Sequence, residues 1–255
     1  MLFQPDLDLV GGPARRDRTV VVWRDSDGRK QTLPVADAAD VRFEDAKPAR
    51  SFPQYREQRS FPGLQYMHTV GALVGFESLL ERDALLVLDF DPQVVAVSSQ
   101  PCWFAGGDED GYWWRCPDFF ARRGDGSGLF VDVKPEYLLD DPDVKEGLDR
   151  ARQVCDRVGW DYEVRTEGHP VYASNVAWLH SYGRDFDDPY GLSQKLLDAC
   201  QRPTTVEDLL AAVGDEVFAR PFLYQHLWYR RLRMDMRTSH LEQHTVISPS
   251  PKDYS

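Results

Sequence analysis

The stretch Cys116–Glu136, "CPDFFARRGDGSGLFVDVKPE", decides the fold. Two runs rich in aromatic and β-branched residues flank the glycine-bearing "GDGSG". That order reads as a β-hairpin and not as a phosphate-cradling loop, because no helix follows the glycines. With the turn centred near Asp125-Gly126, Asp118 and Asp132 fall opposite one another to within one register step. Side chains alternate along a strand, so Asp132 and Lys134 share a face and Val133 takes the other. Carboxylates so close repel one another unless a cation lies between them, and a hard divalent cation with oxygen ligands meets that need. Lys134 then serves the attacking water or the charge developing on a phosphate. The residue types and spacing suit metal-assisted phosphodiester hydrolysis.

Upstream, "GFESLLERDALLVLDFDPQVV" carries Leu79, Leu80, Ala84, Val87 and Leu88 at helical spacing, and Asp91-Pro92 stops the helix. Glu77 and Glu81 stand one turn apart on it. Glu81 borders the apolar stripe, where a carboxylate needs water or a cation, so it is the candidate third acid and Glu77 the second choice. Strands "VVAVSSQ" and "YWWRCPDFFAR" follow; Trp113 and Trp114 are adjacent, so at least one points to the core. Downstream, "DVKEGLDRARQVCDRVGW" reads as an amphipathic helix ended by a glycine and "DYEVRT" as a closing strand. The expected fold class is α/β, a mixed sheet flanked by helices.

The flanks read differently. "TVVVWRDSDGRKQTLPV" is an opening hairpin, and the polar, proline-punctuated run from Phe43 to Pro62 reads as a surface connector. The acidic "GRDFDDPYG" at 183–191 reads as a hinge. Beyond it, "SQKLLDAC", "PTTVEDLLAAVG" and "ARPFLYQHLWYRRL" are three short helices, and the alternating "MDMRTSHLEQHTVIS" is a β-ribbon. That is the order of a winged helix-turn-helix. The expected organisation is 1–60 hairpin and connector, 61–170 core, and 171–255 winged-helix-like domain. Arg220, Arg230, Arg231, Arg233 and Arg237 make the last domain locally basic, suited to a DNA backbone or to a docking protein. His240 and His244 fall in the expected wing, where their spacing has no helical meaning, so they read as a surface pair.

A net charge of −12 over 255 residues excludes an autonomous, tight, non-specific nucleic-acid binder. If DNA is the substrate, the contacts are local or a partner holds it. The four scattered cysteines read as reduced and structural. No apolar run reaches the length of a signal peptide or a membrane span, which points to a cytoplasmic protein without a membrane partner.

Glu81, then Pro117-Asp118, then Asp132-Val133-Lys134 resemble the PD-(D/E)xK nuclease signature. The longer string "FESLLERDALLVLDFDPQVVAVSSQP…PDFF…VDVKP", with "GWDYEVRTE", resembles the TnsA-type endonuclease subunit of heteromeric transposases over roughly residues 60 to 168. The resemblance implies a restriction-endonuclease-like fold and a Mg²⁺-dependent endodeoxyribonuclease, with Mn²⁺ as a substitute. It implies nicking of the 5′ strand at transposon ends beside a TnsB-like DDE transposase, with an AAA+ regulator as a further partner. Carried over, Glu81 matches the helix glutamate, Asp118 the central metal-binding aspartate and Lys134 the catalytic lysine. Asp132 stands where some members carry Gln, so its acidity follows the wider nuclease pattern. Glu81, Asp118 and Asp132 are the implied metal ligands, and the Val133 carbonyl is a further one. The alternatives are a stand-alone restriction or repair-type nuclease, and a DNA-binding adaptor with an inactive nuclease core.

Overall fold

The computed structural model describes residues 19–50, 61–108 and 111–251. The chain divides into two compact units, Met1–Glu167 and Gly168–Ser255. It is a mixed α/β protein with several small sheets and, among the described residues, six α-helices. No described helix is long and apolar enough to cross a membrane.

The first unit contains β1 (Val20–Arg24), β2 (Lys30–Pro34), β3 (Gly63–Met67), β4 (Ala72–Phe76), α1 (Leu79–Phe90), β5 (Val94–Ser99), β6 (Cys102–Asp108), β7 (Gly111–Arg115), β8 (Phe119–Arg123), β9 (Gly128–Val133), α2 (Pro142–Asp156) and β10 (Asp161–Arg165). The central sheet has the order β10-β9-β8-β5, parallel between β10 and β9 and antiparallel elsewhere. The hairpin closes at Arg123–Ser127, where Arg123 N–H donates to Ser127 C=O at 3.0 Å and Gly126 adopts φ +88°. That turn pairs Phe119 with Val131 and Phe120 with Phe130. Side-chain alternation then sorts two cores. Phe119, Ala121, Leu129, Val131 and Val133 pack toward Leu85 and Leu88 of α1. Phe120 and Phe130 pack on the other side with Leu148, Ala151 and Val154 of α2. Because β9 is covered on both faces it reads as a nearly unbroken apolar run, interrupted by Asp132.

A second sheet, β2-β1-β6-β7, contains the opening hairpin, and β1 pairs with β6 as well as with β2. The hairpin is therefore built into the first unit. Trp113 packs against the core while Trp114 is exposed, as adjacency on a strand requires. The surface-connector reading fails at its first residues. Phe43 and Ala49 are fully buried, and Phe43 meets Phe120, Phe130 and Trp160 edge to face. Its segment is fastened by the Arg122–Glu44 ion pair at 2.9 Å and by Ser98 Oγ donating to Phe43 C=O at 2.7 Å. A lone aromatic in a polar run has no periodicity to announce it. Residues 51–60 of that connector lie outside the described residues.

The second unit contains α3 (Pro170–His180), α4 (Leu192–Ala199), β11 (Thr204–Thr205), α5 (Val206–Val213), α6 (Glu216–Trp228), β12 (Leu232–Arg233) and β13 (Val246–Pro249), with sheet order β11-β13-β12. The expected long ribbon shrinks to two short strands joined by residues 234–245. The 183–191 run is not a hinge between the units; it lies inside the second one. Gly183 C=O accepts from Tyr229 Oη, Arg184 C=O accepts from Gln225 Nε2 at 2.7 Å, and Phe186 meets Phe222. Asp188 caps α4, accepting from Leu192 N and Ser193 N at 2.8 and 2.9 Å.

Candidate active site

Where β8 begins and β9 ends, the hairpin brings a carboxylate and an ammonium together. Asp118, one residue before β8, is buried. Its Oδ2 accepts from Val133 N at 2.7 Å and from Lys134 Nζ at 3.1 Å, and Lys134 Nζ also donates to Val133 C=O at 2.8 Å. The ammonium thus bridges a carboxylate oxygen and a backbone carbonyl. Gln100 supports the loop from behind: its N–H donates to Asp118 C=O and its C=O accepts from Ala49 N–H, both at 2.8 Å. Gln100 does so in a left-handed conformation, φ 47°, which is costly for a residue with a side chain.

Helix α1 adds the second acid. Ser78 is its N-cap, and Ser78 Oγ accepts from Glu81 N at 3.2 Å. The Glu81 carboxylate reaches back to Glu77 N at 2.8 Å and Ser78 Oγ at 3.2 Å, close to a capping box, so Glu81 has a structural use. A solvated cap would keep an ordinary carboxylate pKa. Glu81 is instead pushed up to about 7, first by burial and then by the negative charge of Asp118. Burial also raises Asp118; Lys134 opposes the rise and Asp132 adds to it. Glu77 is held by Arg50, Nη2 to Oε2 at 2.6 Å.

Asp132 is engaged elsewhere. It is fully buried, its Oδ2 accepts from Arg115 Nε at 3.0 Å and from Tyr162 Oη, and its Oδ1 lies 2.7 Å from Arg115 Nη2. That last contact is an ion pair out of line for a hydrogen bond, leaving Oδ1 without a donor. Burial and the Asp132 charge push the Tyr162 phenol well above its ordinary pKa, so it stays a donor.

The structure therefore brings Glu81, Asp118, Lys134 and the Val133 carbonyl to one end of the sheet, with Glu77 beside them and Asp132 turned to Arg115. Sequence reasoning missed Arg50, Gln100, Arg115 and Tyr162. Of these, the "WRCPD" adjacency of Arg115 to Asp118 was the one visible clue. The donor set fits a hard divalent cation: all candidate ligands are oxygens, and a cationic group already bridges two of them. Four buried side-chain atoms among the described residues lack a hydrogen bond, and three, Glu77 Oε1, Gln100 Oε1 and Asp132 Oδ1, belong to residues of this neighbourhood. Buried polar atoms without a hydrogen bond are rare, and Asp132 Oδ1 among them is ion-paired to Arg115, so Glu77 Oε1 and Gln100 Oε1 are the two here that lack any partner.

The arginines of the second unit are less available than their number suggests. Arg220 Nη1 donates to Tyr224 Oη at 3.3 Å, Arg231 lies over Tyr229 and Arg237 over Tyr172. Arg230 takes a left-handed conformation, φ 55°, just past the end of α6, and Arg233 is exposed on β12. Every residue of α6 from Phe222 to Trp228 is buried, whereas Glu216, Val217 and Phe218 in its first turn are exposed. Leu223 and Leu227 are core residues, while Tyr224 and Trp228 meet Trp178 and His180 of α3. His240 and His244 are both exposed. No protein-family model matches the chain, and no curated protein matches it.

Proposed function

We propose that this chain is a metal-dependent DNA endonuclease of the PD-(D/E)xK kind, the TnsA-like subunit of a heteromeric transposase. The observation that carries the reading is the Lys134 ammonium bridging Asp118 Oδ2 and the Val133 carbonyl beside a carboxylate, Glu81, that burial has pushed up to about 7. Asp118, Glu81 and the Val133 carbonyl would hold Mg²⁺, which when bound supplies Lewis-acid activation of water and of a phosphodiester. Asp118 anchors the end of β9 through Val133 N–H. Lys134, whose ammonium lies against Asp118 and the Val133 carbonyl, would meet the scissile phosphate or the attacking water. Arg50 offsets the surplus negative charge through Glu77.

Two features support the two-domain form of the reading. The central mixed sheet between α1 and α2 suits a restriction-endonuclease-like core, and the order α4-β11-α5-α6-β12-β13 with sheet β11-β13-β12 suits a winged helix. The first turn of α6 exposes the apolar Val217 and Phe218 while the helix is buried from Phe222 on, which favours a partner protein over base reading as the business of the second unit. A TnsB-like DDE transposase with an AAA+ regulator fits that division, as does a net charge of −12 in a protein that acts on DNA.

The test is nicking of supercoiled plasmid bearing transposon ends, with Mn²⁺ or Mg²⁺, by the chain alone and with the transposase. The expected result is 5′-strand nicking that needs both metal and partner and is absent in Lys134→Met. Nicking by the chain alone would point to a stand-alone nuclease. No Mn²⁺ binding in calorimetry, with or without DNA, would overturn the nuclease reading in favour of an adaptor.

A further inference from the structure

The aspartate of the D-x-K triplet is the residue whose surroundings least resemble a ligand's. Asp132 shares the α2-side face of β9 with Phe130, whereas Glu81 approaches from α1. Lys134 gives its ammonium to Asp118 and not to Asp132. Arg115 Nε and Tyr162 Oη both donate to Asp132 Oδ2, and Arg115 Nη2 pairs its charge with Oδ1 at 2.7 Å, in a fully buried setting. Helix α2 is shaped around this arrangement. Gly147 lies inside it, where glycine is a poor choice, and a Cβ there would come within 2.9 Å of Arg115 Nη1. The glycine leaves room for the guanidinium. Turning Asp132 toward a metal would strip Arg115 of its counter-charge in the interior, the costly half of breaking a buried pair.

We infer that Asp132 is a positioning residue and not a metal ligand. Held by Arg115 and Tyr162, it fixes the Asp132–Val133 peptide, whose N–H binds Asp118, and thereby sets the Val133 carbonyl and Lys134 against that carboxylate. The inference rests on the nuclease reading and narrows its ligands to Asp118, Glu81 and the Val133 carbonyl.

The experiment is calorimetric titration of Mn²⁺ into the full chain, with nicking measured at saturating Mn²⁺ beside the transposase. The variants are Asp118→Asn, Tyr162→Phe and the double variant Asp132→Asn/Arg115→Gln. The double variant removes both charges, so no arginine is left unpaired in the core. Expected is a loss of Mn²⁺ affinity of at least about 100-fold in Asp118→Asn but about tenfold or less in the double variant, with nicking slowed at least about tenfold even when metal is saturating. Tyr162→Phe, which keeps the ion pair and folds without repacking, is expected to leave Mn²⁺ affinity unchanged. A double variant that melts normally yet loses Mn²⁺ as Asp118→Asn does would make Asp132 a ligand, as would tighter Mn²⁺ binding in Tyr162→Phe. A double variant with wild-type affinity and wild-type nicking would reduce Asp132 to a purely structural residue. Absence of Mn²⁺ binding by the wild type would remove the nuclease reading itself, a result none of the variant outcomes resembles.

Discussion

The sheet end of the first unit and the α3–α6 packing of the second both bury polar groups, and they treat them in opposite ways. In the second unit Asn175 is buried with its amide fully used: Nδ2 donates to Met236 C=O and Ser239 C=O at 3.1 and 3.0 Å, and Oδ1 accepts from Leu241 N at 2.9 Å. One side chain thereby ties residues 236–241 to α3. At the sheet end of the first unit, Asp118 and Glu81 are raised, Gln100 is in a left-handed conformation, and Glu77 and Gln100 each keep an oxygen without a hydrogen bond. Satisfied polar groups specify a structure; crowded carboxylates are the ones whose charge a bound cation would relieve, as the proposed function requires.

The largest effect that would break this contrast lies at Asp118. Asp118→Asn should weaken Mn²⁺ binding by about 100-fold or more without lowering the melting temperature, since it removes a buried charge that folding disfavours. A fall in melting temperature with metal binding intact would make Asp118 structural. Asn175→Ala should do the reverse: it strands two carbonyls and an N–H, costing about 2–3 kcal/mol in denaturant unfolding of the second unit while leaving Mn²⁺ affinity unchanged.

Lys134→Met should tighten Mn²⁺ binding by roughly tenfold, because the ammonium competes for the same two oxygens, while abolishing nicking. Weaker binding would show that Lys134 orders the site instead of occupying it.

The smallest effect is a difference in sign between the units. Glu81 is raised from an ordinary 4.5 to about 7, so between those values the folded first unit holds a proton that the unfolded chain lacks, and its stability rises as pH falls through that window. His226, fully buried with Nε2 near Ser193, is lowered from 6.5 by burial. The unfolded chain protonates first there, so the second unit loses stability as pH falls through about 6.5. Amide exchange from pH 7.5 to 5.5 should show protection growing in the central sheet and shrinking in α6; parallel changes would contradict the assignment. Over the same range Mn²⁺ affinity should fall by about tenfold per pH unit below 7, because Glu81 must lose its proton to bind.

Local chemistry carried much of this structure in plain view. "GDGSG" between two apolar alternating runs determined the hairpin and its register, and with them the approach of Asp118 to Val133 and Lys134. "SLLE" before an apolar periodic run determined the start of α1 and placed Glu81 in its first turn. These are contacts between near neighbours in sequence, or across one turn, where geometry follows from residue type. Helix α3 escaped notice because its apolar residues follow no clear stripe, and Phe43 because a single aromatic has no period at all.

Only the tertiary structure decided which acids crowd together and which are neutralised. Arg115 meets Asp132 from 17 residues upstream and Tyr162 from 30 downstream, and Arg50 meets Glu77 across 27. Nothing in spacing or composition pairs such groups, since each contact exists only once two sheets and two helices have closed around a shared interior. The same sequence pattern, two aspartates facing one another across a hairpin, therefore gave one crowded carboxylate and one paired with a buried arginine. Burial and long-range partners made the difference.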